Sequence, residues 1–209
     1  MRSFTNSTKR KPPILKQNKI YIRYNDKANI DYTYLFLLYS IAEYNIKTKC
    51  FNIIKYKSIE DLTKRLNANF GDNNISKSTV DRILKCEKYK MYFKHDKNQK
   101  QIELLNDIRN DKSNFIVLSK TATEFLILSN DNLLSKYYLY LVYYCGISKN
   151  KKTDSTAKQI LEKIGYSNSG TNLTKVANYN QTLTAIGLIK IEKYRDNCGY
   201  WRNLYSILN

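Results

Sequence analysis

The chain has 209 residues, with 36 Lys and Arg against 18 Asp and Glu, a single His and a formal net charge of +18. Hydrophobic content of 42% and aromatic content of 13% exclude disorder by composition, and only 6 Gly and 2 Pro leave little flexible linker. That length holds one large domain or two small ones, and the excess of base over acid points to nucleic acid before a membrane surface, because no long basic amphipathic stretch occurs.

Residues 1–19 carry Arg2, Lys9, Arg10, Lys11, Lys16 and Lys19 with no acid and with Pro12–Pro13. This reads as a basic arm, either solvated or in contact with phosphates. A first domain is expected over 20–105. It opens with a strand, IYIRY at 20–24, and a helix around 32–45, with Leu35, Leu38, Tyr39 and Ala42 on one face. A second helix starts at Ser58, capped in a box-like arrangement with Asp61, and Ile59, Leu62 and Leu66 form its apolar stripe. Gly71, Asp72 and Asn73 make a turn. A third helix over 76–86 turns Val80, Ile83 and Leu84 inward, and two strands at 88–94 and 99–105 form a hairpin.

Residues 106–114 are polar and read as a linker. A second domain is expected over 115–209, where the plan repeats: a strand and turn at 115–127, a Tyr- and Leu-rich helix at 130–146, and a basic loop at 147–154. Tyr137, Tyr138, Tyr140, Tyr143 and Tyr144 cover most of that helix, so core packing accounts for some and an interface for the rest. A helix over 155–164 is expected with Ser155 as cap and Gly165 as stop. Its stripe of Ala157, Ile160 and Ile164 repeats Ile59, Leu62 and Leu66 at a spacing of 98. A helix over 170–186 follows, with Leu173, Val176, Leu183 and Ile186 inward and Gly187 at its end. A basic hairpin closes the chain, with Ile189 and Ile191 inward, Lys190 and Lys193 outward, and Trp201 and Leu204 in the core.

The order helix, turn, helix, hairpin is that of a winged helix-turn-helix, in which one helix enters the major groove and the hairpin lies beside it. The outward face of helix 170–186 offers Thr171, Asn172, Thr174, Lys175, Asn178, Tyr179, Gln181 and Thr182. Asn and Gln pair with adenine N6 and N7, and Thr methyls touch thymine methyls. A merely solvated helix face would carry more Glu, Lys and Arg, since Asn and Thr are poor helix formers. Asn172, Thr174, Lys175 and Asn178 are expected to reach deepest, with Gln181 behind them. Lys193, Arg195, Asn197 and Arg202 are the wing candidates, and Arg at a wing tip suits a narrow AT-rich minor groove. In the first domain the equivalent helix presents Lys77, Ser78, Thr79, Asp81, Arg82 and Lys85, and its wing Lys94, His95, Lys97 and Lys100. That more charged set either holds phosphates or faces a second subunit in a homodimer.

Catalytic signals are missing. One His removes two-histidine metal sites, and there is no GxxxxGK[ST] and no Ser nucleophile elbow. Glu124, Asp131 and Asp154 read as caps and solvated acids, not as metal ligands. Cys50, Cys86, Cys145 and Cys198 lie far apart without a CxxC and read as reduced, mostly buried thiols. The longest apolar run, 137–147, is shorter than the ~20 residues a bilayer span takes. No apolar stretch of a secretory signal opens the sequence. A non-enzymatic binder without cofactor or metal is expected, in the cytoplasm and on the nucleoid.

The pieces FIVLS (115–119), LSNDNLLSKYYLYL (128–141), TAKQILEKIGYS (156–167) and AIGLIKIEK (185–193) resemble the winged-helix replication initiators of plasmids and phages. The resemblance covers 115–207 piece by piece and the rest in element order. It implies binding of double-stranded, AT-rich DNA at repeated origin sites, with a second role in repressing the chain's own transcription. The expected fold is α+β, mostly α, with two tandem winged helix-turn-helix domains. A winged-helix transcriptional regulator and a protein–protein assembly module are the alternatives, with a metal-dependent nuclease behind them.

Overall fold

The computed structural model describes residues 15–71, 73–105 and 115–208. Most of the expected arm, the expected linker at 106–114, and Asp72 of the expected turn lie outside the described residues. The fold is α+β with small antiparallel sheets.

Strand β1 (Lys19–Arg23) leads into α1 (Tyr32–Ile41). The helix begins where Asp31 accepts the Thr33 N–H, and it is buried on nearly every side, so the single apolar face expected for it is replaced by an all-round core helix. It ends at Ile41, short of the expected 45. Arg65 explains the stop: its guanidinium donates to the carbonyls of Ile41 and Lys55 and pairs with Glu43, holding the chain in an extended turn-off. Strands β2 (Glu43–Asn45) and β3 (Cys50–Lys55) follow. Helix α2 (Ile59–Ala68) is capped by Ser58, and α3 (Lys77–Lys85) by Ser76. Residues 87–89 form a 3-10 turn in place of the first part of the expected strand, and Tyr89 is exchanged with Asp31 through two 3.1 Å hydrogen bonds. Strands β4 (Phe93–Asp96) and β5 (Gln101–Leu104) complete a sheet ordered β2-β3-β5-β4.

The second half opens with β6 (Phe115–Ser119). The expected turn after it is a full helix, α4 (Lys120–Ser129), capped by Ser119 and ended by Asn130 in the left-handed region (φ 45). Helix α5 (Asn132–Ile147) starts on the Asp131 cap. Tyr137, Tyr138 and Tyr140 are buried and Tyr143 and Tyr144 half-buried, so tertiary packing takes in the whole tyrosine girdle. Strand β7 (Lys152–Thr153) interrupts the expected loop. Helix α6 (Ala157–Lys163) is capped by Thr156, not Ser155, in a reciprocal box with Gln159. The Ser155 hydroxyl is instead 2.8 Å from the Tyr140 hydroxyl. Gly165 takes φ 79 at the end of α6, where the Tyr166 N–H donates to Leu161 O. Helix α7 (Gly170–Ala185), β8 (Ile189–Arg195) and β9 (Trp201–Ile207) follow, and the sheet order is β7-β9-β8.

Each half ends in strand, helix, helix, hairpin, preceded in the first by β1, α1 and β2 and in the second by β6, α4 and α5, and in each the strand before the helix pair adds to the second strand of the hairpin. The halves join through β1 and β6, which occupy the same place in each and pair antiparallel, Lys19 opposite Ser119 and Arg23 opposite Phe115. That is the arrangement a local twofold generates. One continuous apolar core runs from Leu15 to Tyr205.

Candidate nucleic-acid interface

Helix α7 is fixed by a narrow buried edge. Val176 and Leu183 enter the core. Tyr179, expected on the outward face, is 8% exposed, and its hydroxyl donates to Asp131 over 2.6 Å. Asn180 accepts from the Tyr137 hydroxyl (2.6 Å) and donates to the Tyr205 hydroxyl (3.4 Å). These bonds set the rotation of the helix. They turn Thr171, Thr174, Lys175, Asn178, Gln181 and Thr182 outward, all exposed. Asn172 is half-buried, and its amide donates to the Ser167 carbonyl (2.9 Å) and hydroxyl (3.3 Å), tying down the turn before the helix. The Thr174 hydroxyl donates back to Gly170 O over 2.9 Å, leaving its methyl outward. Ile186, expected inward, is exposed.

The wing departs from expectation in its alternation. Side chains two apart share a strand face, so Lys193 lies on the face of Ile189 and Ile191, not with Lys190. The unbroken register pairs Ile191 with Tyr205, Lys193 with Asn203 and Arg195 with Trp201. The face toward α7 is thus apolar at its root and cationic at its tip. Lys190 belongs to the other face, where Glu192 pairs with it (2.8 Å) and with Lys152 (2.6 Å). Those two ammonium groups hold the Glu192 carboxyl down to about 2.

Trp201, expected in the core, is 64% exposed, and neighbouring Tyr200 is 69% exposed. Leu204 is half-buried. The Arg195 guanidinium lies over the Trp201 ring, 5.0 Å from its centroid. Asp196 organises the tip: it accepts the N–H groups of Cys198 (3.0 Å) and Tyr200 (2.9 Å) and the Arg202 Nε (2.8 Å). Arg202 holds the Asp196 carboxyl below its ordinary value, and the backbone N–H of Tyr200 adds to this. Asn197 is exposed at the tip, and so is Cys198, whereas Cys145 is the buried thiol. Cys50 and Cys86 are intermediate, so the expectation of mostly buried thiols fails.

Between α7 and the wing lies a notch of about 480 Å³. Leu173, Val176 and Ala177 form its helix wall, and Trp201 and Asn203 its strand wall. Asn180 and Tyr205 close the floor. The notch's one mark in the sequence is a Trp directly after the Gly199-Tyr200 tip, paired across the hairpin with Arg195.

In the first half α3 presents Lys77, Ser78, Arg82 and Lys85, all exposed. Lys85 pairs with Asp81 on the same helix (2.5 Å), and the Ser78 hydroxyl is 2.9 Å from that of Ser76. Lys94, Lys97 and Lys100 are exposed on the hairpin. His95 Nε2 meets the Tyr56 hydroxyl at 2.5 Å, and burial pushes its pKa below the ordinary value. The lone acids have structural partners. Asp131 caps α5, Glu124 accepts the Leu15 N–H (3.2 Å), and Asp154 accepts the Tyr194 hydroxyl (2.7 Å). Among the described residues no group of three or more His, Cys, Asp or Glu side chains is placed to hold a metal ion, and no helix is long and apolar enough to cross a membrane. Comparison with protein-family models, with curated proteins and with solved structures finds no match to this chain.

Proposed function

We infer that this chain is a sequence-specific binder of double-stranded DNA, built as two tandem winged helix-turn-helix units. In this reading α7 enters the major groove and the hairpin β8–β9 lies against the adjacent backbone or minor groove. One observation carries it. The outward stripe of α7 is rich in amides and hydroxyls with one charge, Lys175, and it stands beside a wing whose facing side bears Lys193 and Arg195. A face that reads base edges needs bidentate amides, and its flank needs cations for the phosphates. Asn178, Gln181 and Lys175 are the base-reading residues, with Thr174 offering a methyl. Asn172 contributes by shaping the helix start. Lys193, Arg195, Asn197 and Arg202 follow the backbone or minor groove. In the first unit Lys77, Ser78, Arg82, Lys85 and Lys97 hold phosphates or face a second copy of the chain.

The narrower proposal is a replication initiator of a plasmid, phage or mobile element, bound to repeated AT-rich origin sites. The tandem arrangement and the pieces at 115–119, 128–141, 156–167 and 185–193 support it. Footprints on evenly spaced repeats agree with initiation, and one palindrome at a promoter redirects the reading to transcriptional regulation.

Binding to selected and scrambled duplexes across a salt series tests the central claim. The log of affinity should fall against log salt with a slope of about −0.9 per neutralised phosphate. Asn178→Ala and Gln181→Ala should each cost about 1–3 kcal/mol on the selected site and little on the scrambled one. Arg195→Ala should weaken both alike. Unchanged site preference in the Asn178 and Gln181 variants would remove α7 as the reading element.

A further inference from the structure

We propose that the notch between α7 and the wing is a pocket for an unpaired nucleobase, with Trp201 as its stacking platform. The proposal rests on the nucleic-acid reading above and extends it from paired to locally opened DNA. Four observations converge. Trp201 is 64% exposed beside Tyr200 at 69%, so two adjacent aromatics are left open at the wing tip. Trp201 is also held in place. Arg195 covers its ring at 5.0 Å, and the turn that carries it is closed by the three bonds to Asp196 and a Gly199 φ of 80. The notch it borders, about 480 Å³, falls in the size range of small-ligand sites.

The lining selects the ligand. Leu173, Val176 and Ala177 line it from α7, Trp201 from the wing, and Ser155 and Thr156 from the start of α6; Asn180 is tied to the Tyr137 and Tyr205 hydroxyls and the Asn203 amide donates to Tyr205 (3.2 Å), which leaves the Asn203 carbonyl oxygen as an acceptor. An aromatic ring with a donor on its edge fits between them. A phosphate finds a single cation in the lining, Arg202, and its Nε is committed to Asp196. The phosphates of the same strand instead meet Lys193 and Arg195 at the open side of the wing. Stacking on an aromatic is indifferent to base identity, so this pocket adds affinity for opened duplex, while α7 supplies the sequence preference. Extruding a base is cheapest in A·T-rich or already mismatched duplex.

Trp201 is the sole Trp of the chain, so its fluorescence reports this site alone. The full-length protein is titrated with three duplexes of one AT-rich sequence: fully paired, with a one-nucleotide bulge, and with an abasic bulge. The bulged duplex should quench Trp201 and bind roughly tenfold tighter than the paired one, and the abasic bulge should lose that advantage. Trp201→Ala should abolish the advantage, so that paired and bulged duplexes bind alike. Trp201→Phe should restore part of it. Equal binding of the base-bearing and abasic bulges overturns the pocket. So does an equal loss for paired and bulged duplex in Trp201→Ala, which would make Trp201 a groove wedge. Quenching that follows protein concentration without DNA overturns it in favour of a contact between copies. Salt-dependent binding of paired duplex with no bulge preference sinks the pocket and leaves the DNA reading standing. No binding to any duplex sinks both.

Discussion

Asp131 joins two functions in one side chain. One oxygen accepts the N–H groups of Leu133 (2.9 Å) and Leu134 (3.2 Å) at the start of α5. The other receives the Tyr179 hydroxyl and so fixes the rotation of α7. Replacing it by Ala removes a cap, about 1 kcal/mol, and strands a buried hydroxyl, about 1–3 kcal/mol. Asp131→Ala should lower stability by roughly 2–4 kcal/mol, and Asp131→Asn, which still caps, by less. Urea midpoints at unchanged slope measure both. The cap was legible in the sequence where a hydroxyl precedes a periodic apolar stripe, as at Ser58, whereas Ser76 was read only as a helix start and caps α3. At 155–156 two adjacent hydroxyls competed, and the deciding signal was Gln159, three residues after Thr156. Tyr179 was misplaced because an aromatic on a polar stripe reads as outward. Asp131, 48 residues away, and the Tyr137 ring, 6.1 Å between centroids, draw it in.

At the scale of elements, the long helices and both hairpins follow from periodicity and turn residues. The short pieces do not. Strand β3 was missed because an inward position is polar: Asn52 is buried and satisfied by the Thr48 hydroxyl at 3.1 Å. Strand β7 is two residues long and exists only because β9 is there to pair with it. Helix α4 was hidden by its β-branched Thr121 and Thr123, a weak local preference that burial overrides. The wing was legible as a hairpin, but its tip was not, since the burial of Trp201 was inferred from residue type alone. That tip depends on Asp196. Its carboxyl is depressed, so tip order is present above the ordinary Asp range and is lost as pH falls through the lowered value. Asp196→Ala should raise hydrogen exchange at Cys198 and Tyr200 and leave the amides of α7 protected. Exchange rising equally along α7 would mean that wing and helix move as one body.

Across the whole molecule, α1 and α5 are wrapped on nearly all sides and β1 pairs with β6, so the halves share one interior. No local pattern announces this, because a helix that is apolar all round has no periodicity to read. The tyrosines give that interior a pH signature. Burial raises the phenol pKa of Tyr24, Tyr32, Tyr39, Tyr89, Tyr137, Tyr138 and Tyr179 above the ordinary 10.0. The native state keeps these protons while the unfolded chain releases them, so their contribution is full below pH 10 and is lost as pH rises further. The seven act in the same direction, so stability falls with pH more steeply than any one phenol would make it. Lys136 acts oppositely. Burial lowers its pKa below 10.5, so it adds stability as pH rises toward that value. One group acting upward is outnumbered by seven acting downward. The chain should therefore unfold in one steep step above pH 10, with phenolate absorbance and loss of far-ultraviolet dichroism rising together. Phenolate absorbance beyond what the exposed tyrosines such as Tyr44 and Tyr200 supply, appearing gradually while the helical signal persists, would mean that the girdle of α5 is open to water and that the halves do not share a core.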